Sequence, residues 1–329
     1  MPKFSIIIPL YNKAPYIQKA LQSIVCQTLR DFELIIIDDG STDGSAIIAE
    51  KYLIENHREI LYKILHQQNS GVSVARNNGV AVSKGEFIAF LDADDWWEPD
   101  FLEEMDKMIA EYPDAGIYAA NYVYYKPGKT HVALMLHRGY INYPVAYMQS
   151  AAMPVTSITT CMPRTVFDEM GGFPIGIKLG EDFLLWAKTA IHYKVAFCEK
   201  PLAYYNNDVP ASLRATRNLH VPEHHMLFHL DSLEKEIDSL SLVNSLTPSL
   251  VHSWRQLFDQ LRVNGLLQYW INDLYHDAAA TELAKVDWRR QPKSQNRVYK
   301  TPIWKLKLRM NVKRVGSLFK QRIIRIFPS

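Results

Sequence analysis

The first third of the chain alternates between short apolar runs and amphipathic stretches. Continuous β-branched runs at 4–9 and 32–38 predict strands that are buried on both faces. Each is followed by residues with helical spacing or helix-capping chemistry, over 14–28 and from 45 to about 54. Further predicted elements are a strand near 62–66, a helix over 71–82 and a strand over 86–91. Strands that alternate with helices predict a mainly parallel α/β sheet, in which ligands bind beyond the carboxyl ends of the strands.

The pattern becomes mixed after residue 114. We predict a tyrosine-rich strand over 118–125, a helix over 141–153, a strand end with a short helix and a Gly-Gly stop over 162–173, a helix over 181–190 and a short strand over 195–197. Strand patterns end near residue 216. Three successive helices are predicted beyond it, over 223–240, 246–266 and 267–283.

Composition adds limits on the class of protein. The 329 residues are 48% hydrophobic and 22% charged, as in ordinary globular proteins. No apolar run reaches the roughly 18 residues of a membrane-spanning helix, and the start of the chain lacks the features of a signal peptide. Three scattered cysteines predict reduced thiols. We therefore expect a cytoplasmic protein.

Charge is distributed unevenly along the chain. Thirteen of the 37 Lys and Arg residues follow Asp287, and no acidic residue does. Apolar residues in 301–327 recur at three- and four-residue steps between these basic residues, which is typical of a helix lying on an anionic membrane surface. A terminal helix packed on the body is the alternative. We expect no nucleic-acid partner, because no recognised nucleic-acid-binding module accompanies the charge.

Acidic residues follow two of the predicted strands. Asp38 and Asp39 end the second strand, and Asp92, Asp94 and Asp95 follow a later one. Carboxylates this close together repel one another unless a cation neutralises them, and oxygen ligands suit Mg²⁺ or Mn²⁺. Such ions usually share their coordination with substrate phosphates, so the pattern predicts a metal–diphosphate site.

Two common nucleotide-binding motifs are missing. The sequence contains no Gly-x-x-x-x-Gly-Lys-Ser/Thr loop and no Gly-x-Gly-x-x-Gly after the first strand. This argues against a P-loop nucleotidase and against a dinucleotide-dependent dehydrogenase.

Five ordered motifs resemble those of family 2 glycosyltransferases, which have the GT-A fold. They are SIIIPLYNK at 5–13, LIIIDDGSTDGS at 34–45, NSGVSVARNNG at 69–79, FLDADD at 90–95, and GGFP at 171–174 followed by GEDFLLW at 180–186. The resemblance covers roughly residues 3–210. It implies a GT-A catalytic domain over 1–218, with a nucleotide-sugar-binding half (1–114) and an acceptor-binding half (115–218). A helical region (219–287) and a basic amphipathic tail (288–329) follow it.

The resemblance also implies roles for individual residues. Asp182 would be the general base, with Glu181 as second choice. Asp39 would accept a hydrogen bond from the base of the nucleotide, and Asp38 would support its turn. The other residues implied in nucleotide-sugar binding are Pro9, Tyr11, Asn12, Arg76, Asp92 and Ala93, and those implied in metal binding are Asp94, Asp92 and Asp95.

These features predict an inverting glycosyltransferase that depends on Mn²⁺ or Mg²⁺. It would move one sugar from a UDP-sugar, of the UDP-Gal, UDP-Glc or UDP-GlcNAc type, to a lipid-linked glycan, lipopolysaccharide or capsule precursor at the inner face of the cell membrane. Transfer of one sugar per encounter is favoured because the Gln-x-x-Arg-Trp element of processive relatives is missing. Two alternatives stay open: a nucleotidyltransferase, and a non-catalytic, membrane-attached scaffold with this fold. Oligomerisation is possible.

Overall fold

The computed structural model describes residues 1–56, 60–150, 152–210 and 221–307. They form two compact units. One comprises Met1–Tyr143 and Pro154–Arg217, and the other comprises Pro144–Met153 and Asn218–Ser329, in each case over the described residues. The segment Pro144–Met153 thus belongs with the C-terminal residues, whereas its position in the sequence assigns it to the acceptor-binding half. Contacts distant in sequence, which a linear pattern does not record, define this grouping.

The first unit begins with the predicted alternation of strands and helices, which is confirmed. Its elements are β1 (Phe4–Leu10), α1 (Ile17–Val25), β2 (Phe32–Asp38), α2 (Ser45–Asn56), β3 (Leu61–His66), α3 (Val72–Val82) and β4 (Phe87–Phe90). The central residues of β1 and β2 are buried, including Ile6–Ile8 and Leu34–Ile36 at 0% exposure. Burial on both faces explains why these runs are continuously β-branched and do not alternate with polar residues.

In the described residues, ten further strands and α-helices follow along the chain up to Asn206. They are β5 (Trp96–Trp97), α4 (Phe101–Glu111), β6 (Ala115–Tyr125), β7 (His131–Val132), β8 (Gly139–Ile141), α5 (Tyr143–Gln149), β9 (Thr160–Pro163), α6 (Arg164–Met170), α7 (Glu181–His192) and β10 (Lys194–Asn206). All of α5 except Tyr143 belongs to the second unit.

The strands form one sheet in the order β3-β2-β1-β4-β9-β6-β10-β5, with β7 beside β6 and β8 beside β10. Pairing is parallel from β3 through β4 and between β6 and β10, and β9 is antiparallel to both β4 and β6. Because β9 is antiparallel to both of its neighbours, β4 and β6 run in the same direction. β10 is parallel to β6 and therefore runs in this direction as well. The carboxyl ends of β1, β2, β4, β6 and β10 therefore meet at one edge of the sheet, called the carboxyl edge below.

The last strand of the sheet differs from its prediction. A strand of three residues is expected at 195–197, but β10 has 13 residues. The polar residues Glu199 and Lys200 followed by Pro201 interrupt the apolar pattern in the sequence. The sheet accommodates them with shifts of register between Cys198 and Ala203, and the strand continues beyond the irregularity.

The predicted helix over 141–153 is wrong at its start, where Gly139–Ile141 forms β8 and pairs with β10. The C-terminal helices are shorter and more numerous than predicted. They are α8 (Leu230–Leu242), α9 (Pro248–Gly265), α10 (Leu267–Trp270), α11 (His276–Ala284) and α12 (Lys293–Tyr299). Between α10 and α11 the Asn272 side chain accepts a hydrogen bond from the Leu274 N–H at 2.9 Å, a local turn that interrupts the expected helix over 267–283.

A buried ion-pair cluster holds the helices of the second unit together. Arg262 on α9 is fully buried and contacts Asp231 and Glu234 on α8 and Glu282 on α11, at 2.7–3.1 Å. The stripe predicted over 301–327 lies mostly outside the described residues, which end at Lys307.

Candidate active site

The turns after β1 and β2 are joined at the carboxyl edge. Asn12 has a positive φ of 50°, and its side-chain oxygen accepts a hydrogen bond from the Thr42 N–H at 2.8 Å. The Asp38 carboxylate accepts from the Ser41 N–H at 3.1 Å and lies 2.9 Å from the His66 ring. Both residues fix the backbone where the strands end, which gives the edge a defined shape.

The carboxylate of Asp39 orders the loop that leads into α3. It is 4% exposed and accepts hydrogen bonds from Gln67 Nε2, the Ser70 N–H and the Gly71 N–H, at 2.7–2.9 Å. A carboxylate can accept about four hydrogen bonds, so three of these positions are used by the loop. The structure therefore places Asp39 as the organiser of residues 67–71, with limited further capacity to accept from a ligand.

Two of the residues assigned to the nucleotide pocket lie on the same edge. Pro9 pairs with Ile37 in the sheet, and the Tyr11 side chain is 47% exposed. An exposed aromatic ring beside ordered backbone is suited to stacking against a planar base.

The acidic residues after β4 have different surroundings. Asp92 and Asp94 keep 30% and 18% of their side-chain surface exposed, whereas Asp95 is buried and accepts a hydrogen bond from the Asn206 N–H of β10 at 2.7 Å. Ala93 is buried between them. Burial raises the pKa of Asp94 and that of Asp95, and the charges of the neighbouring aspartates add to both shifts.

Each exposed acid of this cluster contacts a basic side chain. Lys13 Nζ lies 2.5 Å from Asp94 Oδ2, and Arg76 donates to Asp92 Oδ1 at 2.8 Å. Arg76 also donates to Glu181 Oε1 at 3.1 Å, and its guanidinium lies 4.9 Å from the centre of the Phe173 ring. Arg76 therefore connects the acids after β4 with the start of α7. The resemblance implies a role for Arg76 in nucleotide-sugar binding, and here the residue is almost completely buried between two carboxylates.

Asp182 lies in the first turn of α7. Gly180 precedes the helix with a φ of 81°, and Asp182 Oδ1 accepts from the Phe183 N–H at 2.7 Å. Burial and the charge of Glu181 raise the pKa of Asp182 to about 7, although the charge of Arg76 opposes the shift. A carboxylate with this pKa can accept a proton near neutral pH.

The two tryptophans after the acids are part of the sheet. Trp96 and Trp97 form β5 against β10, and Trp96 stacks on Tyr204 with ring centres 5.0 Å apart. Trp97 stacks on Phe101 and donates to the Ile158 carbonyl at 2.7 Å. These contacts place the pair at the beginning of the next packed segment.

Three residues of the edge are missed in the sequence analysis. They are Lys13, Asn206 and Tyr205. The pKa of Tyr205 is raised by burial and by the charges of Asp95, Asp94 and Asp92. Asn206 acts through its backbone, and Tyr205 is more than a hundred residues from the acids, so neither had a signal in the sequence. Lys13 had one, since it directly follows Asn12 in a motif already identified.

The acids fit a divalent cation by their chemistry. Among the described residues, no group of three His, Cys, Asp or Glu side chains is already arranged around one point. Mg²⁺ and Mn²⁺ at nucleotide sites take only one or two protein carboxylates, which the partly exposed Asp92 and Asp94 can supply. The Lys13 ammonium group shows that Asp94 attracts a cation at this position.

The fold is of the GT-A class. The chain superposes on the crystal structure of S. aureus TarS residues 1–349 in complex with UDP-GlcNAc with a TM-score of 0.69 and 20% identity, over 88% of this chain and 82% of that one. It also superposes on the mannosyltransferase PcManGT from Pyrobaculum calidifontis, in complex with GDP-Man and Mn²⁺, with a TM-score of 0.54 and 19% identity, over 99% and 84% of the two chains.

Residues 5–166 match the model of glycosyl transferase family 2, and this part of the chain belongs to that family. Among curated relatives, the putative glycosyltransferase EpsH of Bacillus subtilis is 42% identical over 123 residues, which are 37% of this chain and 35% of the relative. The chain thus matches about a third of the length of this relative. In the described part of the chain, no helix combines the length and apolar character that crossing a bilayer requires.

Proposed function

We propose that the protein transfers one sugar from a nucleotide-sugar to an acceptor hydroxyl, with inversion at the anomeric carbon. One observation carries the proposal: Arg76 connects the acids after β4 with the acids at the start of α7. The exposed acids after β4 suit the leaving diphosphate, and Asp182 suits the attacking hydroxyl. A single displacement needs both functions, on opposite sides of the sugar.

Asp182 is the general base of this proposal. Its Oδ1 is held by the Phe183 N–H, which orients the carboxylate and leaves Oδ2 to accept the proton of the acceptor hydroxyl. Glu181 is held by Arg76 at 3.1 Å. The negative charge of Glu181 raises the pKa of Asp182 and so strengthens the base.

Asp94 and Asp92 are the proposed ligands of Mn²⁺ or Mg²⁺, and Asp95 supports them through its hydrogen bond with Asn206. A bound divalent cation would neutralise charge that develops on the departing nucleoside diphosphate. The Mn²⁺ in the PcManGT complex supports this part of the proposal.

The proposed donor is a UDP-sugar. UDP-GlcNAc in the TarS complex supports it, whereas GDP-Man in the PcManGT complex shows that the fold also accommodates another nucleotide. Pro9, Tyr11, Asn12 and the loop organised by Asp39 would surround the base. Since three of the hydrogen-bond positions of Asp39 are used, we expect its contribution to the base to come largely through the shape of residues 67–71.

The proposed acceptor is a lipid-linked glycan, lipopolysaccharide or capsule precursor. This rests on the basic residues of the segment 301–327, which would bring the enzyme to an anionic membrane surface that carries such acceptors.

The Asp182→Asn substitution tests the base assignment. We expect it to reduce transfer at least about a thousandfold, because the amide cannot accept the proton, while the affinity for UDP stays within about twofold of the wild type. The measurements are sugar transfer from a panel of UDP- and GDP-sugars with Mn²⁺, and calorimetric titration with UDP.

The exposed Asp168 of α6 provides a matched control, and Asp168→Asn should leave both values unchanged. Loss of UDP binding in Asp182→Asn would contradict the base assignment. Release of inorganic diphosphate from a sugar phosphate and a nucleoside triphosphate by the wild type would instead indicate a nucleotidyltransferase.

A further inference from the structure

Lys13 and Arg76 both contact acids after β4, but they differ in how each side chain is held. The backbone of Lys13 is fixed, because its carbonyl accepts hydrogen bonds from the Tyr16 and Ile17 N–H groups at 2.9 and 3.0 Å at the start of α1. Its side chain is a flexible four-carbon stem that ends 2.5 Å from Asp94 Oδ2. Anchored backbone and flexible side chain allow the ammonium group to move while the turn stays in place.

Arg76 lacks this freedom. Its guanidinium is buried, contacts Asp92 and Glu181 at the same time, and packs against the Phe173 ring. Moving the guanidinium away from Asp92 would leave the buried Arg76 with one of its two carboxylate partners, which is costly. Of these two cations, Lys13 has the flexible stem, whereas Arg76 is fixed between two carboxylates and an aromatic ring, so Lys13 is the one expected to exchange.

Asp94 is also one of the two carboxylates proposed above as metal ligands. An ammonium group in contact with Asp94 and a divalent cation bound to the same oxygen repel each other strongly at this distance. The ion pair and the metal therefore compete for Asp94.

We propose that Lys13 is an exchangeable counter-cation: it neutralises Asp94 in the free protein, is displaced when the divalent cation binds, and then pairs with the diphosphate of the nucleotide. The proposal rests on the proposed function, since it assumes a metal and a nucleoside diphosphate at this edge. It assigns to Lys13 two opposite effects. The residue weakens the binding of metal alone and strengthens the binding of the nucleotide once metal is present.

The test compares wild type with Lys13→Met and Lys13→Arg. Binding of Mn²⁺ alone is measured by electron paramagnetic resonance, and binding of UDP in saturating Mn²⁺ by calorimetry. We expect Lys13→Met to bind Mn²⁺ on the order of tenfold more tightly, because the charge that competes for Asp94 is lost. We expect it to bind UDP on the order of tenfold more weakly, because the charge that attracts the diphosphate is lost. Lys13→Arg keeps the charge and should stay close to the wild type in both measurements.

Lys19→Met is the matched control. Lys19 Nζ lies 3.0 Å from the centre of the Trp96 ring, and no contact with the acids after β4 is present among the described residues, so both affinities should be unchanged. Unchanged or weaker Mn²⁺ binding in Lys13→Met would overturn the competition between Lys13 and metal. Unchanged UDP binding would overturn the pairing with diphosphate.

The outcomes separate this inference from the proposed function. A wild-type protein that transfers sugar, together with a Lys13→Met variant whose Mn²⁺ and UDP affinities do not change, would overturn the role of Lys13 alone. A wild-type protein that transfers no sugar from any donor of the panel would overturn the proposed function.

Discussion

Individual residues at the carboxyl edge act in pairs, and the partners set their chemistry. Asp182 is a stronger base than an ordinary aspartate because it is buried beside Glu181. The pKa of Asp94 and that of Asp95 are both raised, but Asp94 is paired with Lys13, while Asp95 accepts a hydrogen bond from the Asn206 N–H. Neighbouring carboxylates in one motif thus have different surroundings.

The raised pKa of Asp182 predicts a pH dependence of transfer. A base must be ionised, so the rate should fall about tenfold for each pH unit below a midpoint near 7, where Asp182 becomes protonated. The measurement is kcat/KM between pH 5 and pH 9.

Glu181→Gln should move this midpoint to lower pH, because removal of its negative charge lowers the pKa of Asp182. Asp168→Asn serves as the control with an unchanged midpoint. A midpoint that stays in place in Glu181→Gln would show that another group controls the acid side of the profile.

At the scale of elements, the packing of α3 positions Arg76. The helix lies against β1 and β2, and a Cβ atom on Gly79 would come within 2.5 Å of Ile7 Cγ2 and 3.3 Å of Ile37 Cγ1. Glycine thus permits the close approach by which Arg76, one turn earlier in the helix, reaches Asp92 and Glu181.

Gly79→Ala should therefore destabilise the protein by about 1–3 kcal/mol, the usual cost of forcing extra volume into a packed core. Urea unfolding followed by circular dichroism measures the loss. Asn78→Ala at the neighbouring exposed position should change the free energy of unfolding by less than about 0.5 kcal/mol. Equal losses in the two variants would argue against the tight contact of α3 with the sheet.

For the whole molecule, the proposed membrane attachment depends on charges concentrated at the end of the chain. Deletion of residues 308–329 removes six basic residues of the tail but keeps Leu306, which is 7% exposed, and the contact of Lys307 with Asp273 at 2.7 Å. We expect the full chain to sediment with anionic vesicles at low salt and to lose most of this binding at about 0.5 M salt, where charges are screened.

The shortened chain should lose vesicle binding while it keeps transfer to a soluble acceptor. Neutral vesicles serve as the control for charge. Sedimentation of the shortened chain equal to that of the full chain would contradict a membrane role for this segment.

The sequence was sufficient to predict the alternating strands and helices of residues 4–90 and the position of Asp38, Asp39 and Asp92–Asp95 at strand ends. It could do so because burial on two faces enforces continuous apolar runs, and because parallel strands bring their carboxyl ends together. The ordered motifs also sufficed to predict the family. These are local patterns, which neighbouring residues in the sequence form without contacts between distant segments.

The partner of each acid depends on the tertiary structure. The contacts of Lys13 with Asp94, of Arg76 with Glu181 and of Asn206 with Asp95 join residues 81, 105 and 111 positions apart. The tertiary structure also shows that β10 continues through Pro201 and that Pro144–Met153 belongs with the C-terminal helices. Such contacts depend on how the sheet brings distant segments together, and no spacing in the sequence encodes a distance in space.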